Sequence, residues 1–273
     1  MKGNDTHAMF DVKDEIVIIT GVSGSLGLEY ADIFLKSGSK VAGIDIRKSK
    51  PLTLLEQRHP KRFLYVESDV TSRDSLIKSL EEITQSLGNP SVLINNAAID
   101  SPPSSSAKEN GPFETYPEKS WDEVLNVNLK SVFLCSQIFG GKMAECGNGS
   151  IINISSIYGL VSPDQSIYDY RRKNGENFFK PVAYSASKSG IYNLTKYLAA
   201  YWGNKNVRVN TLTLAGVFNH QDPEFLKAYV KRIPIKRMAD VNEYNGAVIF
   251  LASKASSYMT GSNMIIDGGW TSI

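Results

Sequence analysis

A tyrosine and a lysine four positions apart, Tyr184 and Lys188, are the residues whose types and spacing best suit chemistry. On a helix, side chains four residues apart share one face. A free tyrosine, with a pKa of about 10, is a poor acid or base near neutral pH, but a neighbouring ammonium stabilises the phenolate and lowers that pKa. Such a pair could exchange a proton with an alcohol or a carbonyl group. A helix pair without function has the same spacing.

A cluster of glycines and serines follows the apolar run at 15–20 and forms the segment Thr-Gly-Val-Ser-Gly-Ser-Leu-Gly at 20–27. A strand, a glycine-rich turn and a helix in this order are typical of dinucleotide-binding sites. Glycines let a pyrophosphate approach the backbone, and the helix N-terminus offers unpaired N–H groups. A purely structural turn between a strand and a helix would look similar.

Asp45 ends the next apolar run, about 20 residues after the glycine turn, where a carboxylate can bind an adenosine ribose. The same charge would repel a 2′-phosphate, so it favours NAD over NADP. Arg47 lies close in the sequence and could pair with a phosphate instead. Asp69 and Val70 end the third apolar run and are expected beside the adenine.

Apolar segments of strand length alternate with helical patterns along the chain. Strands are predicted at 15–20, 40–45, 63–66, 91–95, 150–155, 207–212 and 263–266. Helices are predicted after the glycine turn, ending at Gly38, and at 71–87, 121–143, 182–202 and 241–253. Apolar strands joined by helices predict a doubly wound, Rossmann-type parallel sheet of seven strands with helices on both faces. We expect one domain, 1–273, with a loose leader at 1–9.

Two predicted loops, 99–120 and 160–181, are longer than folding requires, and loops of this length are usually functional or disordered. Both follow strands at the edge of the sheet where ligands bind. The second loop carries Arg171, Arg172 and Lys173. Such a cluster is usually just solvated, but over the mouth of a site it could bind a carboxylate or a phosphate.

Composition excludes several classes of function. The net charge of +2 gives no reason to expect nucleic acid or an anionic membrane as a partner. The three histidines are scattered and the two cysteines lack ligand spacing, so we predict no metal site. No apolar run approaches the ~18 residues that span a bilayer, and the polar N-terminus lacks a signal-peptide core. We therefore expect a cytoplasmic protein.

Short motifs in a fixed order from about residue 10 to 270 resemble those of the short-chain dehydrogenase/reductase family. They are the glycine turn at 20–27, Asn-Asn-Ala-Ala at 95–98, Asn-Val-Asn-Leu at 126–129, Ser-Ser-Ile-Tyr-Gly at 155–159, Tyr184 with Lys188, Arg-Val-Asn at 208–210, Thr-Gly at 260–261 and Asp-Gly-Gly at 267–269. The chain departs from the family at Ser25 and Ala98, where glycine is usual, and at Ala215, where proline is usual.

The resemblance implies hydride transfer between a nicotinamide and an alcohol or ketone. It implies that Tyr184 is the general acid/base, that Lys188 lowers its pKa and holds the nicotinamide ribose, that Ser156 hydrogen-bonds the substrate oxygen, and that Asn128 holds a water in a proton relay. With the glycine turn, it implies a cofactor site of Gly21, Ser23, Gly24, Ser25, Leu26, Gly27, Asp45, Ile46, Asp69, Val70, Asn96, Ala97, Ala98, Tyr184, Lys188, Ala215, Gly216 and Phe218.

The substrate is less well defined by the sequence. Tyr158 and His220 are expected substrate contacts, although an aromatic side chain more often packs in a core. The stretch at 215–225 and the long insertion resemble family members linked to bacterial surface-sugar or flagellin modification. We therefore expect a small molecule, either a sugar or an acidic compound. Family resemblance also implies a homotetramer or a dimer.

Two other functions stay open at this point. A non-catalytic dinucleotide sensor or scaffold can use the same fold. A sugar-nucleotide epimerase or dehydratase also carries Tyr-x-x-x-Lys with NAD, but such proteins usually have a larger C-terminal substrate domain than the residues after 266 provide.

Overall fold

A seven-stranded parallel sheet forms the centre of the protein, as a computed structural model that describes residues 6–101 and 110–273 shows. Its strands are β1 Ile16–Thr20, β2 Lys40–Asp45, β3 Phe63–Glu67, β4 Val92–Asn95, β5 Gly149–Ser156, β6 Val207–Leu214 and β7 Asn263–Ile266. They lie in the order β3-β2-β1-β4-β5-β6-β7, and every pair is parallel. The predicted doubly wound Rossmann-type fold is confirmed.

Continuous apolar runs form these strands because both faces of the sheet are covered. In β1, Val17, Ile18 and Ile19 are completely buried, and β5 is buried along its whole length. The chain leaves β1 for β2 on one side and enters β4 on the other. The direction of winding therefore reverses between β1 and β4, which opens a crevice at their carboxyl ends.

Helices cover both faces. They span Thr6–Met9, Ser25–Lys36, Lys50–Arg58, Arg73–Ser86, Glu118–Leu125, Ser131–Cys135, Gly141–Cys146, Ile157–Leu160, Asp169–Lys173, Val182–Trp202, Pro223–Val230 and Asn245–Ala252. The long helix predicted at 121–143 extends over 118–146 and contains two π-helical segments, Asn126–Lys130 and Ser136–Gly140. The helix predicted at 182–202 is observed with those bounds.

The prediction of a loop at 160–181 is wrong, because this segment contains helical structure. It holds a 3-10 turn, Gln165–Tyr168, and the helix Asp169–Lys173. The ring of Tyr168 lies 5.1 Å from that of Phe178 and 5.8 Å from that of Phe225. An aromatic cluster thus ties this segment, which we call the insertion, to the helix Pro223–Val230.

The helix Pro223–Val230 lies in a stretch where the sequence analysis predicts no element. Its start has ordinary signals: the Asp222 carboxylate accepts a hydrogen bond from the Glu224 N–H at 2.8 Å, and Pro223 occupies the first turn. Part of the predicted leader, Thr6–Met9, forms one helical turn. Part of the other predicted loop, residues 102–109, lies outside the described residues.

Within the described ranges, no helix is long and apolar enough to cross a bilayer. The same ranges contain no group of three or more metal-ligating side chains.

Candidate active site

The glycine turn after β1 is held by the loop that follows β4. The Thr20 hydroxyl accepts hydrogen bonds from the backbone N–H groups of Asn96 and Ala97, both at 3.0 Å. The Asn96 amide donates to the carbonyls of Thr20 and Gly21 at 3.0 and 3.2 Å. Two loops from neighbouring strands are therefore fixed to each other at the crevice.

Two glycines in this turn are required by space. A Cβ on Gly21 would lie 2.8 Å from the Ala97 Cα, and its φ of +67° disfavours other residues. A Cβ on Gly27 would lie 2.3 Å from the Gly21 carbonyl oxygen. Gly24 meets only an ordinary contact, 3.4 Å from that oxygen, and the helix Ser25–Lys36 begins directly after it. The backbone is bare here, and this turn and the first residues of the helix line the crevice.

Asp45 lies at the rim of the same crevice and is already oriented. Its carboxylate accepts hydrogen bonds from the backbone N–H groups of Ser23, at 2.9 Å, and Arg47, at 3.4 Å. The Ser23 hydroxyl donates to the Arg47 carbonyl at 2.5 Å. Arg47 itself is exposed, so the charge nearest the crevice is the carboxylate.

The crevice is a groove of about 610 Å³. The predicted cofactor residues that line it are Gly21, Gly24, Ser25, Leu26, Gly27, Asp45, Ile46, Asp69, Val70, Asn96, Ala97 and Ala98. Ser23 does not line it and acts on it only through Asp45. Sequence reasoning missed Thr71, Ile99, Glu123, Asn126 and Val127, which line the wall formed by the long helix and the loops beside it.

A second cavity, of about 320 Å³, adjoins the groove and shares Leu26, Asn96 and Ala98 with it. We call it the inner pocket. Tyr184, Lys188 and Ser156 line it, as do Ala215 and Gly216 from the segment after β6. The side chains that the sequence singles out as candidates for catalysis therefore meet at the end of the groove.

Tyr184 and Lys188 lie one turn apart on the helix Val182–Trp202. The Lys188 amine donates to the Ile154 carbonyl at 3.0 Å and lies 5.9 Å from the centre of the Tyr184 ring. Tyr184 is partly exposed, whereas Lys188 is buried. The helix thus holds both groups against the carboxyl end of β5.

Burial dominates the titration of both groups. It raises the pKa of Tyr184 to about 12, against an opposing hydrogen bond with Ser156, and it lowers the pKa of Lys188 to about 8. The sequence predicts a lowered pKa for this tyrosine. The structure shows a raised pKa instead. The loss of water around the phenolate destabilises it more than the hydrogen bond with Ser156 stabilises it.

The two serines at the end of β5 have different surroundings. The Ser156 hydroxyl accepts a hydrogen bond from the Tyr158 N–H at 3.2 Å and also bonds with Tyr184. The Ser155 hydroxyl donates to the Lys188 carbonyl at 3.0 Å. Ser156 is therefore the serine next to the phenol, and Ser155 fixes the helix to the strand.

Asn128 lies in the first π-helical segment and is completely buried. Its amide exchanges two hydrogen bonds of 2.8 Å with the Ile99 backbone and donates to the Ser187 hydroxyl at 3.0 Å. The side chain therefore joins the loop after β4 to the helix that carries Tyr184. The expected water relay stays a prediction.

The predicted substrate contacts separate in the structure. Tyr158 lines the inner pocket. His220 and Phe218 line neither the groove nor the pocket; both are exposed, and their rings pack 5.2 Å apart. The reason is backbone pairing: the Phe218 N–H donates to the Ala239 carbonyl at 2.8 Å, and the chain then turns outward at His220 with a φ of +51°.

Lys180 is the pocket residue whose importance the sequence did not reveal. Its amine lies 4.8 Å from the centre of the Tyr184 ring and 5.8 Å from that of Tyr158, and it forms an ion pair with Asp100. The other pocket residues that were missed include Tyr168, Gln221, Phe225 and Tyr229. They come from the insertion and the helix after β6, which only the fold brings together.

The basic cluster of the insertion does not reach the pocket. Arg171 forms an ion pair with Glu176 and lies over the Phe178 ring, 3.8 Å from its centre. Arg172 pairs with Asp169 and donates to the Phe178 carbonyl at 2.7 Å. The hypothesis that these arginines bind an acidic substrate is therefore wrong, since their charges are used inside the insertion.

Known proteins are similar to this chain in both sequence and fold. A family model described as enoyl-(acyl carrier protein) reductase matches residues 21–271. The NAD-dependent glycerol dehydrogenase of Listeria innocua is 30% identical over 267 residues, which cover 96% of this chain and 96% of that protein.

Two solved structures resemble the fold closely. A short-chain dehydrogenase of Leptospira borgpetersenii with bound NAD+ has a TM-score of 0.83 and 32% identity, with 95% of this chain and 93% of the other covered. A gluconate 5-dehydrogenase of Burkholderia cenocepacia, in complex with NADP and tartrate, has a TM-score of 0.84 and 26% identity, with 97% and 98% covered.

Proposed function

The chain belongs to the short-chain dehydrogenase/reductase family and is an NAD(P)-dependent oxidoreductase of CH–OH groups; on that premise we propose that it oxidises a small polyol or sugar, with Tyr184 as the general acid/base. One observation carries the proposal. The Tyr184 phenol, the Ser156 hydroxyl and the Lys188 amine meet in the inner pocket, at the end of a groove with a bare glycine turn.

The protein's own groups then have separate tasks. Ser156, already hydrogen-bonded with Tyr184, orients the substrate oxygen. Tyr184 takes the hydroxyl proton in oxidation and returns it in reduction. Lys188 has a pKa of about 8 and can hold or release a proton near neutral pH. Asn128 keeps the loop after β4 at a fixed distance from this helix.

The nicotinamide cofactor, when bound, accepts or supplies the hydride. The groove fits a dinucleotide because Gly21, Gly24 and Gly27 line it with bare backbone at the start of a helix, so that phosphates can lie against the backbone. We propose NAD as the preferred cofactor, because the oriented Asp45 carboxylate would accept bonds from a ribose and repel a 2′-phosphate.

The pocket wall supports a hydroxyl-rich substrate. At about 320 Å³ the pocket is at the small end of ligand sites, and Tyr158, Tyr168 and Gln221 line it beside the reacting groups. Burial raises the pKa of both tyrosine hydroxyls, so both stay protonated and can donate. The glycerol dehydrogenase among the relatives agrees with such a substrate.

Self-association is part of the proposal. The long helix and the helix Val182–Trp202 border an open surface groove of about 980 Å³ that includes Leu129 and Phe133. Phe133, Tyr197 and Tyr201 are 45%, 62% and 59% exposed. Covering apolar surface of this kind is a reason for two copies to associate, as a dimer or a tetramer.

We also propose that residues 1–273 act as one catalytic domain in the cytoplasm, where the free cysteines, Cys135 and Cys146, would stay reduced. The relatives named above align over nearly their whole length. They are dehydrogenases, so neither the sensor nor the epimerase alternative is favoured.

The test is an assay of NADH or NADPH formation with glycerol, threitol, galactose and gluconate, with each cofactor. We expect the wild type to reduce NAD+ with at least one neutral substrate of this panel. Absence of turnover, together with tight NAD binding in calorimetry, would contradict the proposed activity and favour a sensor.

A further inference from the structure

An ion pair at the mouth of the inner pocket has no place in the mechanism above. The Lys180 side chain is 14% exposed and that of its partner, Asp100, is 46% exposed. Lys180 lies between the rings of Tyr158 and Tyr184, so its amine points at the space where a substrate would be held. Asp100 approaches from the loop after β4 and lies just outside the lining of the pocket.

The pair does not serve to anchor the end of the insertion, because the backbone already does so. The Lys180 N–H donates to the Gln165 Oε1 at 2.8 Å, and the Gln165 Nε2 donates to the Lys180 carbonyl at 3.3 Å. The neighbouring Phe179 N–H donates to the Asn110 carbonyl at 2.7 Å. These bonds hold position 180 whatever its side chain does.

The Lys180–Asp100 pair sets the net charge at the mouth of the pocket. The pocket lining contains two cations, Lys180 and Lys188, and no carboxylate among the described residues. The Lys188 amine donates to the Ile154 carbonyl, and the proposed function assigns it to proton transfer with Tyr184. Lys180 is the cation that faces the substrate space, and Asp100 neutralises it from just outside the lining.

We propose that the Lys180–Asp100 pair makes the pocket select neutral polyols and sugars over sugar acids. The Lys180 amine has donors left for a substrate hydroxyl, and the Asp100 carboxylate accepts from a neighbouring hydroxyl. A substrate carboxylate would compete with Asp100 for the same amine, and the negative charge of Asp100 would repel it. This inference rests on the proposed function and adds the substrate class to it.

The experiment compares kcat/KM for gluconate with kcat/KM for glycerol and galactose in wild type, Asp100→Asn and Lys180→Gln. Asp169→Asn is the matched control, because Asp169 also pairs with a cation of the insertion but lies away from the pocket. All of these substrates use the same Tyr184, so the ratio of acid to neutral substrate cancels any change in that group.

In Asp100→Asn we expect the acid-to-neutral ratio to rise about tenfold, as one freed charge at a half-exposed site predicts. In Lys180→Gln we expect it to fall below the wild-type value, since the unpaired carboxylate then only repels. Asp169→Asn should leave it unchanged. NAD binding and the unfolding temperature show that each variant is folded.

Ratios within twofold of wild type in both pocket variants would overturn the inference while leaving the dehydrogenase proposal intact. A wild type that oxidises none of the panel would overturn both. The wild type alone gives a second test that needs no variant: a sugar acid that inhibits more strongly than the matched polyol would contradict the proposed selection.

Discussion

The amine of Lys180 lies 4.8 Å from the centre of the Tyr184 ring, closer than the 5.9 Å that separates this ring from the Lys188 amine. A cation over an aromatic face is attracted to it. The phenol is nevertheless a weak acid here, with a pKa of about 12, because desolvation is the largest influence on it. Catalysis near neutral pH therefore depends on groups that shift this balance.

Replacement of Tyr184 with phenylalanine should remove the proton transfer and leave the cofactor groove intact. We expect kcat to fall by about 10²–10⁴-fold, the range typical of a lost general acid/base, with an unchanged Kd for NADH in fluorescence titration. Retention of more than a tenth of the activity would exclude the assigned role.

Ser156→Ala should move the pH profile of alcohol oxidation upward. Oxidation needs the deprotonated Tyr184, and the hydrogen bond with Ser156 lowers the pKa of that phenol. Without this bond the pKa rises, so the apparent pKa of kcat/KM rises and activity at a fixed neutral pH falls. Profiles between pH 6 and about 10 measure the shift.

Ser155→Ala is the control for this profile, because Ser155 bonds the Lys188 carbonyl and not the phenol. It should lower the free energy of unfolding by about 1 kcal/mol and leave the apparent pKa in place. Equal shifts in both variants would show that the effect is structural.

Asp45→Asn should weaken the preference for NAD. The carboxylate is fixed by the Ser23 N–H at 2.9 Å and stands at the groove rim. Removing its charge removes the repulsion of a 2′-phosphate, and the exposed Arg47 lies two residues further along the chain. We expect the ratio of kcat/KM for NADP to that for NAD to rise about tenfold. An unchanged ratio would place cofactor choice elsewhere.

Gly27→Ala should destabilise the protein and the groove together. The new Cβ would lie 2.3 Å from the Gly21 carbonyl oxygen, a backbone atom that cannot move freely. Overpacking of this kind costs about 1–3 kcal/mol in unfolding free energy, and the Kd for NAD should rise as well. Chemical denaturation and calorimetry measure the two effects.

Gly141→Ala is the matched control for that substitution. Gly141 also lies in a helix, Gly141–Cys146, but a Cβ there meets nothing within 4 Å. We expect unchanged cofactor binding and a gain of about 0.5–1 kcal/mol, because alanine is the better helix former. A loss similar to that of Gly27→Ala would contradict the steric argument.

Phe133→Glu should change the state of association. The side chain is 45% exposed and borders the open groove between the two long helices. A charge in an apolar contact between copies disfavours it, so light scattering should show a smaller species than the wild type. Monomeric wild-type protein would contradict the proposed self-association.

The order of apolar runs and helical patterns was enough to predict the sheet, because strands buried on both faces must be apolar throughout. For β2 and β7 even the bounds agree with the prediction. The glycine turn and Tyr184 with Lys188 could be recognised too, since each depends on residues close together in the chain. Sequence reasoning therefore predicted local chemistry and the layers that carry it.

The tertiary structure decided which distant side chains share the pocket. Lys180 and Asp100 are 80 positions apart and meet because two loops end at the same edge of the sheet. His220 is close to Gly216 in sequence, yet the chain pairs with Ala239 through the Phe218 N–H and then turns outward at His220. The sign of the Tyr184 pKa shift was likewise set by three-dimensional burial, which local sequence patterns do not describe.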